Sequence, residues 1–358
     1  MPGLTIARPF PEDVPTHPLS VVDYQLVRAG DEDEVAKLWK AATELGFWYL
    51  KNYDIEDEVD HMFDVGQDII ALPLEEKLKY ELGDQGFPFG YKVAGAQVMD
   101  NRGTRDVTEF FSISKDDALA WPTPIHRTYP SPVNTRMEDI VRPFVQKALE
   151  INRFLIDVFN DKLGLPKGTL AAFHKVEEHS GCIARIIRSP PHLGNSEEKP
   201  FLAAHTDYGS LTLLHNRLGG LQVLPPGSDR FYYVKPLPGH AICNIGDALN
   251  IFSGGILRSS IHRVVPPPKN QAEYERWSLV YFTRPNDSVI LRAQSEHSEQ
   301  IAQAVANAPP GKFETGETAQ EWTSRRFRTR RVANYKGPET WKENAGTEDT
   351  PIPQQSYA

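Results

Sequence analysis

Cysteine is scarce in this chain. Cys182 and Cys243 are the only two among 358 residues, and they stand far apart without the paired spacing of a zinc site. Two such residues make no disulfide framework, so a reducing compartment is expected. Long apolar runs are also missing: none approaches the roughly 20 residues that cross a bilayer. The opening MPGLTIARPFPEDVPTHP lacks the apolar h-region of a secretory signal, and the closing SYA is no recognised address. Positive charge is in deficit, with 39 Lys and Arg against 48 Asp and Glu and a formal net charge of −9. That balance argues against nucleic acid as the main partner. These absences predict a cytoplasmic protein with no nucleic-acid or membrane partner and no obligate protein partner evident.

What the sequence has falls into three regions, expected to form one integrated domain. Residues 1–136 open with helical periodicity: DEDEVAKLWKAATELG sets Val35, Leu38, Trp39, Ala42 and Leu45 on one stripe, with acidic residues in the first turn and Gly46 after the end. A strand, FWYLKNY, and a second helix over Glu58 to Ala71 follow; residues 84–136 are rich in loop signals. In 137–285, an amphipathic stretch from Met137 to Leu163 predicts one long helix despite Pro143. From Cys182 to Pro285 the texture changes to short apolar or alternating runs separated by Pro, Gly, Asn and Asp. Such spacing predicts an antiparallel double-stranded β-helix, a jelly roll, with helices flanking a mainly β core of the α+β class. Residues 286–358 read as a C-terminal helical extension and polar tail, poorly ordered after about Val332. Its basic run TSRRFRTRR follows a capping-box pattern from Thr318 to Glu321 and is expected to be a solvated helix face.

One stretch carries chemistry. In HTDYGSLTLL, His205 and Asp207 lie two apart at the end of an extended segment, on one face. Such a pair either grips a metal or is an ordinary hydrogen-bonded couple. His297 and Glu299 share the spacing, but in a polar, helix-like segment where i and i+2 do not share a face. His262, in SSIHRVV, lies within the same strand-rich block as His205. Two His and one carboxylate leave several positions open, as suits non-haem Fe(II); zinc accepts the same ligands with fewer positions open. Further on, ERWSLVY puts Arg276 and Ser278 on one strand face, where a guanidinium and a hydroxyl suit a bidentate carboxylate.

With HTDYGSLTLL, GGLQVL, NIGDALNIFSGGILRSSIHRVV and RWSLVYFTRP in view, the chain resembles the Fe(II)/2-oxoglutarate-dependent dioxygenases of the isopenicillin N synthase-like superfamily from about residue 18 to 285. The resemblance implies iron held by His205, Asp207 and His262, 2-oxoglutarate as co-substrate held by Arg276 and Ser278, and O2 as oxidant. It also implies oxidation of a C–H bond in a small organic metabolite, of the kind found in secondary metabolism. Hydroxylation is the default outcome, with desaturation or ring rearrangement open, and succinate and CO2 released. The alternative is an oxidase of the isopenicillin N synthase type that does without 2-oxoglutarate. One departure stands out. Many members carry Asn-x-Tyr on the strand before the His-x-Asp turn, where this chain has Ile187 and Ser189. Arg185 shares that strand face and is expected to meet an anionic or carbonyl-bearing substrate.

Overall fold

The computed structural model describes residues 9–192, 200–344 and 346–347; the tail from 348, with its SYA ending, lies outside the described residues. Strands β1 (Val21–Asp23), β2 (Phe47–Lys51), β3 (Gly90–Lys92), β4 (Glu109–Ser114), β5 (Ile183–Ser189), β6 (Leu202–His205), β7 (Leu211–Asn216), β8 (Leu221–Val223), β9 (Tyr232–Tyr233), β10 (Ala241–Ile245), β11 (His262–Val264) and β12 (Arg276–Thr283) form two sheets. The larger has eight strands in the order β1-β2-β10-β7-β12-β5-β4-β3, and the smaller has four in the order β6-β11-β8-β9. All pairs but β1–β2 are antiparallel. The expected jelly-roll core with flanking helices is what forms.

The two-residue period of a strand assigns the two faces of the large sheet. On β12, Trp277, Leu279 and Tyr281 join the main apolar core, while Arg276, Ser278, Val280 and Phe282 line a cavity between the sheets. The same split divides Ala184 and Ile186 from Arg185, Ile187 and Ser189 on β5, and Leu211 and Leu213 from Thr212 and Leu214 on β7. One face therefore builds the protein and the other builds a site.

Three helices cover the core face: α1 (Glu32–Glu44), α2 (Glu56–Ile70) and α3 (Arg142–Lys162). The Asp31 carboxylate caps α1 by accepting the Glu34 N–H at 2.9 Å. Helix α2 begins at Glu56, before the predicted Glu58, because its polar first turn contributes nothing to the apolar stripe. The single helix expected from Met137 is instead a π turn, Met137–Val141, running into α3. Pro143 then lies in the first turn of α3, where no intrahelical N–H is required of it. Trp48 meets Phe159 edge-to-face at 6.0 Å and Tyr281 meets Phe144 at 6.2 Å, locking sheet to helix. The chain also stays regular past Val332, with a short helix at Pro338–Lys342 where poor order was expected.

His174 ties this core to the sheet: its Nδ1 donates to the Leu170 carbonyl at 2.7 Å, and its Nε2 accepts from Ser210 Oγ at 2.6 Å. Accepting at Nε2 requires the neutral ring, and burial, outweighing the Leu170 hydrogen bond, pushes its pKa from 6.5 down to about 4. A depressed His contributes stability that is complete above the unfolded pKa and is lost as pH falls towards the folded one. By about pH 5 the loss from this residue alone reaches about 2 kcal/mol. Urea unfolding at about pH 7.5 and about pH 5 checks this: the drop in stability is expected to shrink in His174→Gln, and an equal drop would contradict it.

Candidate metal centre

Strand β6 ends at His205 and β11 begins at His262. Antiparallel pairing sets the two directly opposite each other, with ring centroids 4.3 Å apart. Each ring is oriented through Nδ1, which donates to a backbone carbonyl: Ala203 O at 2.8 Å for His205 and Ser260 O at 3.1 Å for His262. A neutral imidazole that donates through Nδ1 keeps its lone pair on Nε2. Both Nε2 atoms lie 3.8 Å from Oδ1 of Asp207, just past the end of β6. The other carboxylate oxygen, Oδ2, is occupied by Thr212 Oγ1 at 2.6 Å and Asn244 Nδ2 at 2.7 Å. Two imidazole nitrogens and one carboxylate oxygen therefore converge, all within 4.8 Å of one another. Burial holds His205 well below the ordinary imidazole pKa, which keeps it a ligand rather than a cation. The donor set fits a divalent metal of the kind two His and one carboxylate hold with several positions open.

Glycine shapes the turn beneath. A Cβ on Gly246, in the NIGD motif, would stand 2.2 Å from Gly209 O and 3.2 Å from Asp207 O, so no larger residue fits there.

A second group, Asp116, His126 and His179, also meets within 4.8 Å. Here the Asp116 carboxylate is already engaged on both oxygens, by Lys115 Nζ at 2.7 Å and by the Ser180 N–H and His126 Nε2 at 3.2 and 3.1 Å. It reads as an ion-pair network. His297 and Glu299 are exposed and belong to neither group: Glu299 opens the helix Glu299–Ala306, and the His297 ring lies 3.8 Å from the Glu296 carboxylate.

The three candidate ligands open on a cavity of about 1050 Å³ including its mouth. At one end Arg276, 2 % exposed, donates from Nε to Gly219 O at 2.7 Å and from Nη1 to Ser278 Oγ at 2.7 Å. Burial lowers its pKa to about 10, so the guanidinium stays charged at neutral pH. Across the ladder from Arg276 lies Ser189, whose buried Oγ has no hydrogen-bond partner among the described residues. Arg276, Ser278 and Ser189 thus form a polar end facing the cavity. Arg185 lines it further along, donating to Ser112 Oγ at 2.8 Å and Pro88 O at 3.0 Å, with its guanidinium 4.0 Å from the Phe110 ring centroid.

The basic run near the C-terminus corrects an expectation. Thr318 and Glu321 do make the capping box of the helix α4 (Ala319–Arg328). The run, however, is only partly a solvated face: Arg328 is exposed, but Arg326 on the helix and Arg330 and Arg331 just after it are buried. Arg326 is drawn in by Asp247, fully buried after β10, which accepts from Arg326 Nη1, Thr206 Oγ1 and Ser259 Oγ, while Arg331 pairs with Glu81 and Asp84. Thr206 stands between the candidate ligands His205 and Asp207, so the C-terminal helix is fastened to the back of the candidate site. Arg326→Met would leave Asp247 charged and unmatched, and a loss of about 3–5 kcal/mol is expected. Chemical unfolding measures it, and a loss under about 1 kcal/mol would mean that the pair is dispensable. Nothing in the sequence marks Arg326 or Arg330 as different from the other arginines of the run. Asn244 and Thr212 were likewise missed, although both lie on strands whose alternation turns them inward.

Comparison with known proteins places this geometry. The profile of the 2OG-Fe(II) oxygenase superfamily matches residues 179–285, and that of the non-haem dioxygenase N-terminal region (named from morphine synthesis) matches 19–132. The homoarginine-6-hydroxylase of Oryza sativa subsp. japonica is 30% identical over 274 residues, covering 72% of this chain and 80% of its own. The chain belongs to the 2-oxoglutarate–Fe(II) oxygenase superfamily. A 2-oxoglutarate-dependent dioxygenase of Aspergillus fumigatus is 27% identical over 321 residues, 79% of this oxygenase and 80% of the relative. The fold matches that of a full-length Neurospora crassa protein solved in complex with α-ketoglutarate and thymine. The TM-score is 0.67 at 22% identity, over 91% of this oxygenase and 99% of that chain. The oxygenase is accordingly an oxidoreductase that uses Fe(II), 2-oxoglutarate and O2 on a small organic metabolite, and the 2-oxoglutarate reading is supported over the oxidase alternative. Among its described residues no helix is long and apolar enough to cross a membrane.

Proposed function

We propose that His205, Asp207 and His262 hold the iron, and that Arg276 with Ser278 binds the distal carboxylate of 2-oxoglutarate. When bound, iron, co-substrate and O2 supply the oxidising power that removes hydrogen from a substrate C–H bond, releasing succinate and CO2. The chain's own part is positioning. Ala203 O and Ser260 O aim the two imidazoles, and Thr212 with Asn244 takes one oxygen of Asp207 so that the other faces the metal. Arg276 fixes the co-substrate at the polar end, and Ser189 offers a free hydroxyl beside it. The apolar lining, including Phe47, Phe110, Leu221 and Phe282, keeps water from the reacting centre. Arg185 reaches towards the substrate. Hydroxylation is the expected outcome, on a small metabolite of secondary metabolism, in the cytoplasm. Two buried, unpaired cysteines fit that compartment.

The observation that carries this reading is the split role of Asp207, with one oxygen anchored and one turned to two Nε2 atoms. It is tested by following 2-oxoglutarate and succinate under air with Fe(II). Succinate formed in proportion to 2-oxoglutarate consumed, and none without iron, is expected. Substrate oxidation that proceeds without 2-oxoglutarate would overturn it.

A further inference from the structure

Charge inside the cavity does not balance. Four guanidinium groups line it, from Arg185, Arg276, Arg284 and Arg330, against the single carboxylate of Asp207. A divalent iron and the two charges of 2-oxoglutarate cancel each other, and they leave this excess as it was. Arg276 offsets Asp207. Arg185, Arg284 and Arg330 remain unmatched.

Arg185 and Arg284 also lie well away from Arg276, the residue assigned to the distal carboxylate of the co-substrate. Arg185 pairs in register with Val280, four residues along β12 from Arg276, or about 13 Å at the usual strand rise. Arg284 lies just beyond the other end of β12. Arg330 comes from the segment after α4 and is 5 % exposed. Its buried Nε has no hydrogen-bond partner among the described residues, and no ion pair is made by its side chain there. Arg284 shares that state: one nitrogen donates to Gly181 O, while its buried Nε has no partner among the described residues. Two nearby carboxylates are spent elsewhere, Asp106 on the buried Lys92 and Asp247 on Arg326, and Asp287 attracts Arg284 without an ion pair among the described residues. Burial, with Arg284 alongside, pushes the Arg185 guanidinium down to about 9, and burial lowers Arg330 as well. A buried donor left unmade is costly, and an unmatched buried charge more so. Such a cluster is stable in use only if something negative enters it.

Most of the remaining lining is apolar, with Phe47, Phe110, Leu214, Val280, Phe282 and Phe327, while Gln97, Thr108 and Tyr208 add neutral polar groups. The ligand thus needs an apolar body as well as a charged head. We propose that the substrate is an organic acid with an apolar body, whose oxyanion head group is held by Arg330 together with Arg185 and Arg284, leaving its C–H bond beside the metal. This rests on the catalytic reading above and adds the substrate class to it.

The test uses the full chain with Fe(II) and 2-oxoglutarate, without O2, and reads the thermal midpoint. Probes are acids paired with their amides: phenylacetate with phenylacetamide, hexanoate with hexanamide, and phenyl phosphate as a second oxyanion. The acids are expected to raise the midpoint in a saturable way, at concentrations at least tenfold below any effect of the amides. A response to phenyl phosphate alone would retain the oxyanion site and assign it to phosphate. Arg330→Gln is expected to weaken the acid response at least tenfold, with Arg330→Lys intermediate, because an ammonium lacks the planar fork. Folding is checked independently. Arg330→Met removes a repelling charge that makes no ion pair among the described residues and gives up only a contact 5.9 Å from the Tyr208 ring centroid, so without probe its midpoint is expected close to or above that of the wild type. Acids no better than amides, or an acid response untouched in Arg330→Gln, would overturn the proposal. Failure of the wild type to bind 2-oxoglutarate in the same set-up would instead strike the catalytic reading, since acids and amides are compared equally well with iron alone.

Discussion

Replacing any one of His205, Asp207 and His262 with Ala is expected to abolish turnover while the fold survives. Each supplies one of the three ligand atoms that converge at the proposed metal site among the described residues, and the substitutions leave the helix-packed face of the large sheet untouched. The three are not equivalent in what they leave behind. Loss of either imidazole frees a backbone carbonyl, Ala203 O or Ser260 O, at the cavity wall. Loss of Asp207 strips Thr212 and Asn244 of their shared acceptor, so Asp207→Ala is expected to lose more stability as well as metal. Asp207→Asn separates the two effects: an amide keeps a partner for the Thr212 hydroxyl but carries no charge for the metal. Metal analysis and turnover on the purified variants check this, and near-normal turnover in a variant free of trace wild type would refute the ligand assignment.

Arg276→Gln is expected to weaken 2-oxoglutarate without changing iron content. Arg276 is charged and buried, and its Nε and Nη1 are already committed to Gly219 O and Ser278 Oγ, so the incoming carboxylate meets a guanidinium that is held in place. Removing one partner of a buried charge pair typically costs about 2–5 kcal/mol. At about 1.4 kcal/mol per factor of ten, that is roughly 30- to 3,000-fold in affinity. Arg276→Lys should recover part of the loss, because a point charge replaces the attraction and not the fork. Ser278→Ala should cost on the order of 1 kcal/mol, the worth of one hydrogen bond. Co-substrate titrations should therefore rank Gln worst, Lys intermediate and Ala mildest. An Arg276→Gln enzyme with wild-type affinity would remove Arg276 from the co-substrate site.

Much of this was legible in the chain. Period-two alternation in the 182–285 block predicts the strands, and His205, Asp207, His262, Arg276 and Ser278 all lie where that alternation turns inward. Arg185 follows by the same rule. What stayed hidden depends on contacts between distant segments. Asn244 is marked only as part of a turn motif, yet it holds Asp207 across strands that are neighbours in space alone. The C-terminal arginines mislead for the opposite reason. Their local pattern, a capping box followed by basic residues, is that of an exposed helix, and only the buried Asp247 contributed by another segment pulls Arg326 inside. The π turn before α3 is similarly invisible, since it preserves the apolar stripe on either side.

The most direct measurement is an anaerobic titration of the purified chain with Fe(II) and then 2-oxoglutarate, watched in the visible range. A weak charge-transfer band that grows to saturation with one equivalent of each, is absent in His262→Ala, and needs far more 2-oxoglutarate in Arg276→Gln is the expected result. No band in the wild type, or a band that forms equally well in both variants, would contradict the assignment of this site.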